Sequence, residues 1–342
     1  MKTSIPFLIA EISANHCGSF NLAKKLIKCA KINGANAVKL QTYTADTMTL
    51  KSNKKYFKIK NGLWKNYNLW NLYNEAHTPL SWHKQLFAYG KKLGITVFST
   101  PYDETAVDFL EKLKCPIYKI ASFEMTDLSL IKKVALTKKP MIISTGMANL
   151  DEITLAYKTA KKYGAKNITL LYCVSNYPSK NTDFNLNNIK ILKDKFNCTV
   201  GFSDHSKDER VAFAAIAVGA EVIEKHIALD NQKKGLDIKF SLKGKKIKNF
   251  KENIDLIYKL LGKKKFHRNK SENKSKLFRR SIFASENIRK GEKIKKTNIR
   301  KIRPGFGLEP KYYERLIGKK APFKLIKNEP LKKSLLKKLN IK

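Results

Sequence analysis

Two histidines twenty-one residues apart, His205 and His226, are the residues of this chain best placed to do chemistry. Each follows a short apolar run. Gly201-Phe202-Ser203-Asp204-His205 comes after Thr199-Val200, and Glu224-Lys225-His226 comes after Val222-Ile223. The stretch between them, Lys207 to Ala220, reads as an amphipathic helix with a Gly-Ala end. In a strand-helix-strand unit both imidazoles then sit at the C-terminal ends of neighbouring parallel strands, where α/β proteins build their sites. Two neutral imidazoles aimed at one point suit a borderline divalent metal. The pair alone is equally compatible with two unrelated loop histidines.

The elements that must position this pair are legible along the chain. Apolar patterning predicts strands near 7–12, 36–42, 95–99, 116–121, 140–144, 168–173, 198–202 and 221–226. Helical patterns follow near 20–33, 82–93, 103–113, 128–137, 151–163, 185–196, 207–218 and 247–261. Several helices end in glycine just before the next strand, as at Gly34, Gly94, Gly164 and Gly219. Eight such units in about 260 residues argue for a closed (β/α)8 TIM barrel over residues 1–262. The competing open, doubly wound sheet lacks its GxGxxG phosphate loop. Residues 43–81 are too long for a plain βα loop. They carry Tyr43, Tyr56, Phe57, Trp64, Tyr67, Trp70 and Tyr73, and are expected to cover the barrel mouth or a partner. After the eighth helix the pattern changes. Residues 263–277 are lysine-rich and aperiodic, and read as a linker. Residues 278–338 form short segments broken by turn residues, a small and mostly β domain.

Composition bounds the function classes. The 342 residues are 42% hydrophobic, which suits a soluble globular protein with ample core. No apolar run reaches the ~18 residues of a membrane span. The opening Met1-Lys2-Thr3-Ser4-Ile5-Pro6 leads into an apolar run too short for a signal peptide, interrupted by Pro6 and stopped at Glu11. Five scattered cysteines, without a CxxC, point to a reducing cytoplasm rather than a disulfide framework. The net charge of +42 invites a nucleic-acid reading, but only 8 of the 70 basic residues are arginine. Abundant Lys, Asn and Ile together are what an AT-rich coding bias produces. The alternatives are a solvated lysine surface and real polyanion affinity. The former predicts weak DNA binding that vanishes at modest salt, which a salt titration of fluorescent duplex checks. Either surface steers anionic small substrates.

Every predicted strand ends in something polar. Glu11 shares a face of the first strand with Ile9, and Lys39 and Gln41 share a face of the second. Thr100 ends the third. Lys119 lies in the fourth, with Ser122 and Glu124 just beyond. Ser144 ends the fifth, Ser175 and Tyr177 follow the sixth, and Ser203 and His205 belong to the seventh. Buried charges cost several kcal/mol unless paired. A bound dianion would compensate two lysines, and hydroxyls are natural phosphate donors. The rim therefore points to a phosphorylated, carboxylated substrate beside a metal.

These stretches, in this order and spacing, resemble the sialic acid synthase family of phosphoenolpyruvate-condensing enzymes over nearly the whole chain. The resemblance rests on Ala10-Glu11-Ile12 with Asn15-His16, Val38-Lys39-Leu40-Gln41-Thr42, Phe98-Ser99-Thr100-Pro101, Tyr118-Lys119-Ile120-Ala121-Ser122, Ser144-Thr145-Gly146-Met147 and the two histidine motifs. The tail, with Ile302-Arg303-Pro304-Gly305, resembles the antifreeze-like (SAF) domain of those enzymes. Ser122-Phe123-Glu124 and Glu75-Ala76-His77-Thr78-Pro79 resemble the pseudaminate-forming branch. The neuraminate and legionaminate branches more usually place glycine between that serine and glutamate. One departure is Lys243-Gly244 after Ser241-Leu242, where the pseudaminate branch usually has glutamate.

The resemblance implies an aldol-like condensation of phosphoenolpyruvate with an open-chain acetamido-deoxy sugar. It implies a Mn2+ or Mg2+ ion on His205 and His226, with Glu11 as the proton-transfer group. It implies a phosphoenolpyruvate cradle of Lys39, Thr100, Lys119, Ser122, Ser144, Ser175 and Ser203. Gln41, Glu124, Tyr177 and Asp237 would contact the sugar. Arg303 would reach into a partner's barrel, so a domain-swapped homodimer is implied. No membrane and no specific nucleic acid is expected as a partner.

Overall fold

The computed structural model describes residues 6–262 and 265–341. The opening residues 1–5 and the first two residues of the expected linker, 263–264, lie outside the described residues. Two compact units result, Met1–Gly262 and Lys263–Lys342.

The first unit is a closed barrel. Its strands are β1 (Phe7–Glu11), β2 (Ala37–Thr42), β3 (Thr96–Pro101), β4 (Tyr118–Ile120), β5 (Met141–Ser144), β6 (Ile168–Cys173), β7 (Thr199–Asp204) and β8 (Val222–Ala228). Each pairs in parallel with the next, and β8 closes onto β1. A two-residue strand, β9 (Leu242–Lys243), adds to β8 beyond its expected end. The helices are α1 (Phe20–Ile32), α2 (Ala45–Met48), α3 (Leu69–Ala76), α4 (Leu80–Leu93), α5 (Glu104–Lys112), α6 (Leu128–Leu136), α7 (Leu150–Lys162), α8 (Asn187–Phe196), α9 (Glu209–Ala217) and α10 (Lys246–Leu261). Local chemistry sets their ends. Asp103, Asp127, Asn149 and Asp208 accept backbone N–H groups at the starts of α5, α6, α7 and α9. Gly94 turns left-handed at φ 68° to end α4.

Strand residues facing the helices form one continuous apolar layer, including Leu8, Ala10, Val38, Leu40, Val97, Ile120, Ile143 and Ile223. The alternate positions face into the barrel, where Glu11, Lys39, Lys119, Ser203 and Glu224 are all buried. A purely structural barrel fills its interior with branched apolar side chains, so buried charges among Ile9, Phe98 and Ile142 mark the interior as the place to look for chemistry.

The second unit holds an antiparallel pair, β10 (Ser281–Ala284) with β11 (Ile299–Ile302), in the register Ser281↔Ile302 to Ala284↔Ile299. Two short helices, α11 (Tyr313–Leu316) and α12 (Lys333–Lys338), pack on its own core of Ile282, Ile288, Ile294, Ile299, Leu316 and Leu335. The stretch read as an aperiodic linker carries a run of 3-10 turns at Lys270–Phe278. Such i→i+3 turns need no amphipathic face, so hydrophobic periodicity does not reveal them.

Candidate active site

Register brings the charged side chains together. Glu11 is aligned with Lys39 on one side and His226 on the other, and Ser203 with Glu224. Lys39 Nζ lies 2.7 Å from Glu11 Oε2 and 3.4 Å from Glu224 Oε1. Lys119 Nζ lies 2.7 Å from Glu224 Oε2. Lys39 also donates to Thr100 Oγ1 at 3.2 Å, and Ser203 Oγ to Glu224 Oε1 at 3.2 Å. Two ammonium and two carboxylate groups thus form one buried, charge-balanced chain. Its middle member, Glu224, belongs to the Glu-Lys-His motif but carries no role in the sequence reading. Its signal was the i, i+2 spacing from His226, which puts both on one face of a strand. The intervening Lys225 points the other way and pairs with Asp204 at 2.7 Å. Asp204 Oδ1 in turn accepts from the Ser206 N–H at 2.8 Å, which anchors the turn after His205.

The two carboxylates are pushed apart in acidity. Burial raises Glu11, and the Lys39 charge only partly offsets it. Burial opposes the Glu224 charge as well, but Lys119 and Lys39 together hold it well below the usual range. Burial likewise depresses Lys39, yet Glu11 and Glu224 outweigh it and hold the amine above its ordinary value. Lys119 has one carboxylate partner against burial and the Lys39 charge, and falls below its ordinary value. Glu11 can therefore hold or release a proton, whereas Glu224 is a fixed counterion. Ser13 supports Glu11 by donating its N–H to Oε1 at 2.8 Å from a left-handed backbone of φ 46°. For a non-glycine residue that conformation costs about 1 kcal/mol or more.

Above this floor stand His205 and His226, ring centroids 5.4 Å apart. His205 Nδ1 lies 3.2 Å from the Val174 carbonyl. Because a carbonyl only accepts, this contact fixes the proton on Nδ1 and leaves the Nε2 lone pair for a ligand. Burial and the neighbouring His226 push His205 down to about 3. From the unperturbed value, ligation is expected to fail below about pH 6; burial keeps His205 neutral well below that. His226 Nδ1 is buried without a hydrogen-bond partner, 3.5 Å from Asp237 Oδ2. Phe240 packs edge-on against both rings, at 6.0 and 4.9 Å.

Hydroxyls form the adjoining wall. Gly146 N donates to Ser122 Oγ at 3.1 Å. A Cβ on Gly146 would lie 2.1 Å from Ser175 Oγ and 2.7 Å from Ser122 Oγ, so only glycine lets the backbone approach this cluster. Ser144 Oγ is buried and unpartnered beside it. Unpaired donors of this kind, next to a lysine, suit an oxyanion.

These groups line a cavity of about 280 Å³. Lys39, Gln41, Lys119, Ser122, Glu124, Ser144, Tyr177, Ser203, His205, His226 and Asp237 all reach it. Glu11 and Thr100 lie beneath, in contact through Lys39. Ser175 stands behind Gly146. Arg303 is exposed on the second unit. The sequence reading left out Cys173 and Tyr102, which also line the cavity. Burial raises both, so the thiol and the phenol stay protonated.

Glu124 gives a pH-dependent signature. Burial pushes its carboxyl from 4.5 up to about 7, and Oε2 has no partner. The folded protein then binds this proton more tightly than the unfolded chain. The stabilisation is complete below pH 4.5 and is lost as pH rises through 7. Glu124→Gln is therefore expected to gain thermal stability relative to the parent between pH 5 and 7.5, with a constant difference above. Parallel melting curves across that range check it.

A parallel barrel with buried lysines, hydroxyls and an imidazole pair at its C-terminal mouth is an architecture in which enzymes bind small molecules. The chain belongs to the NeuB family, whose model matches residues 26–266, and a SAF domain matches residues 279–337. It is 43% identical over 92% of its length to the pseudaminic acid synthase of Campylobacter jejuni serotype O:2, 92% of which is covered. It is 40% identical to the N,N'-diacetyllegionaminic acid synthase of the same strain, covering 92% of this chain and 95% of that one. Among solved structures, the N-acetylneuraminic acid synthetase of Leptospira borgpetersenii serovar Hardjo-bovis superposes with a TM-score of 0.72 at 32% identity, over 80% of this chain and 90% of that one.

Proposed function

We propose that this chain makes pseudaminic acid, condensing phosphoenolpyruvate with 2,4-diacetamido-2,4,6-trideoxy-L-altrose and water, with release of phosphate. It is on this reading a transferase that forms a C–C bond. The observation that carries the chemistry is the buried Glu11–Lys39–Glu224–Lys119 chain beneath an imidazole pair. The similarity to a pseudaminic acid synthase over most of both chains supports the choice of sugar.

Lys39 and Lys119 bind the phosphate and carboxylate of phosphoenolpyruvate, with Thr100, Ser122, Ser144, Ser175 and Ser203 completing the cradle. Gln41, Glu124, Tyr177 and Asp237 position the sugar so that its aldehyde faces the enol carbon. Glu11 exchanges a proton with the attacking water or the sugar hydroxyl. Burial raises its proton affinity above that of an ordinary carboxyl, which suits this exchange. His205, through its free Nε2, and His226, whose Nδ1 faces Asp237 Oδ2 at 3.5 Å, would hold a divalent metal. Among the described residues no group of three or more His, Cys, Asp or Glu could hold a metal, so the two histidines would be its protein ligands. Imidazole donors favour Mn2+ over Mg2+. Bound there, the metal supplies Lewis-acid polarisation of the aldehyde.

No described helix is long and apolar enough to cross a membrane, and all five cysteines are free thiols. Both are compatible with a cytoplasmic site of action. Phosphate release from phosphoenolpyruvate with three sugars tests the reading. The trideoxy diacetamido sugar is expected to exceed N-acetylmannosamine and the legionaminate precursor. A preference for either of the others overturns the assignment.

We also propose that Arg303 works in a partner's barrel, within a domain-swapped homodimer. Fully extended, the stretch 263–276 would span up to ~45 Å; the 3-10 turns at Lys270–Phe278 shorten that reach, and an exchange relies on what remains. A guanidinium there pairs with polar sugar groups and helps exclude water. Arg303→Ala and His205→Ala homodimers are each expected to be nearly inactive, and mixed dimers to recover one working site. Mixed dimers confirmed by mass without recovery would place the arginine in its own barrel or outside catalysis.

A further inference from the structure

The cavity has a second half that the charged floor does not explain. Tyr43, Met48, Ile59, Trp64, Leu69 and Tyr73 line it. All six come from the segment between β2 and α4, far longer than the 2–6 residues of an ordinary βα loop. Residues 59–67 fold into a turn closed by Ile59 N to Tyr67 O at 2.9 Å and Asn66 N to Ile59 O at 3.0 Å. Its tip is latched across the mouth. Trp64 Nε1 donates to the Leu236 carbonyl at 3.3 Å, one residue before Asp237, and the indole packs on Tyr177 at 5.6 Å. Tyr43 packs edge-on against Tyr73 at 5.9 Å and Tyr102 at 5.0 Å. Trp70 Nε1 donates to Asp46 Oδ1 at 2.7 Å and ties α3 to α2. The segment is thus held in place, while Met48, Ile59, Trp64 and Leu69 remain only half-buried and line the cavity.

We propose that this wall is the specificity-determining surface for the sugar. It selects aldoses that present methyl groups, a 6-deoxy carbon and an acylamino methyl, over polyhydroxylated hexoses. A methyl placed against it leaves water for hydrocarbon. A hydroxyl placed against Met48, Ile59 or Leu69, away from the Tyr43 and Tyr73 phenols, leaves water without a comparable partner. The aliphatic side chains Met48, Ile59 and Leu69 offer no hydrogen bond, and the Trp64 N–H is already committed to Leu236. Apolar pockets discriminate such groups by about 10–100-fold each. The inference rests on the condensing activity proposed above.

The test compares kcat/KM for the trideoxy diacetamido sugar and for N-acetylmannosamine, in the parent and in Ile59→Asn, Leu69→Asn and the isosteric Met48→Gln. The three variants are expected to lower the ratio of trideoxy to polyhydroxylated sugar by about 10–100-fold, with the KM for phosphoenolpyruvate unchanged. Ile59→Val is expected to keep the parental ratio. An unmoved ratio in variants that still bind phosphoenolpyruvate overturns the wall and leaves the activity standing. A folded parent chain that turns over neither sugar overturns the activity itself, and the wall with it. If the asparagine variants fail to fold, the Met48→Gln ratio decides alone.

Discussion

His205→Ala and His226→Ala are each expected to lose phosphate release by about 10³-fold or more, while the barrel stays folded. Both rings are buried against Phe240, so each substitution also loses some packing, but the larger loss expected is that of an imidazole ligand at the mouth. Lewis-acid polarisation is worth several kcal/mol, about 4 of which already correspond to 10³ in rate. Chelation of the parent is expected to produce the same loss, with recovery on addition of Mn2+. Chelated alanine variants are expected to lose nothing further. Titration of Mn2+ followed by its electron paramagnetic resonance signal gives a second readout, with one tight site per chain in the parent and none in either variant. Full activity of the parent in excess chelator would remove the metal from the account.

The buried charge chain makes a second, larger claim. Lys119→Met leaves Glu224 with Lys39 as its remaining cation, at 3.4 Å rather than the 2.7 Å of the lost contact. Breaking a buried pair on one side costs about 3–5 kcal/mol, a large share of the ~5–15 kcal/mol that stabilises a typical domain. Lys119→Met is therefore expected to unfold at markedly lower temperature and to be inactive. The double variant Lys119→Met/Glu224→Gln removes both charges and is expected to recover most of the stability. It is expected to recover none of the activity, because the lysine is also the anion's ligand. Stability returning without activity separates the two roles of Lys119. Activity returning with stability would show that the lysine serves the fold alone.

The barrel was legible because its eight strands are short apolar runs stopped by polar residues, each followed by a helix with 3.6-residue periodicity. Those stops are also the rim of the site, which is why residues as far apart as Glu11 and His226 could be placed together before any coordinates. Two things were hidden. Alternation places Glu224 beside His226, but that one carboxylate bridges two lysines depends on strand stagger, which sequence spacing does not encode. The apolar wall is the other. Residues 43–76 form only short helices and a tight turn, and their common direction arises from the Trp64 latch to Leu236 across 172 positions. The depression of His205 is likewise tertiary, since burial is its largest cause.

The central claim is that one cavity joins phosphoenolpyruvate to a sugar and releases phosphate by C–O cleavage. Mass spectrometry of a single incubation tests it, using phosphoenolpyruvate carrying 18O at the bridging ester oxygen together with the trideoxy diacetamido sugar and Mn2+. The expected result is phosphate that retains the 18O, formed only with sugar present and in equal amount with a nine-carbon acid. Phosphate without the label, or released at the same rate without sugar, would contradict it and leave a phosphatase in its place.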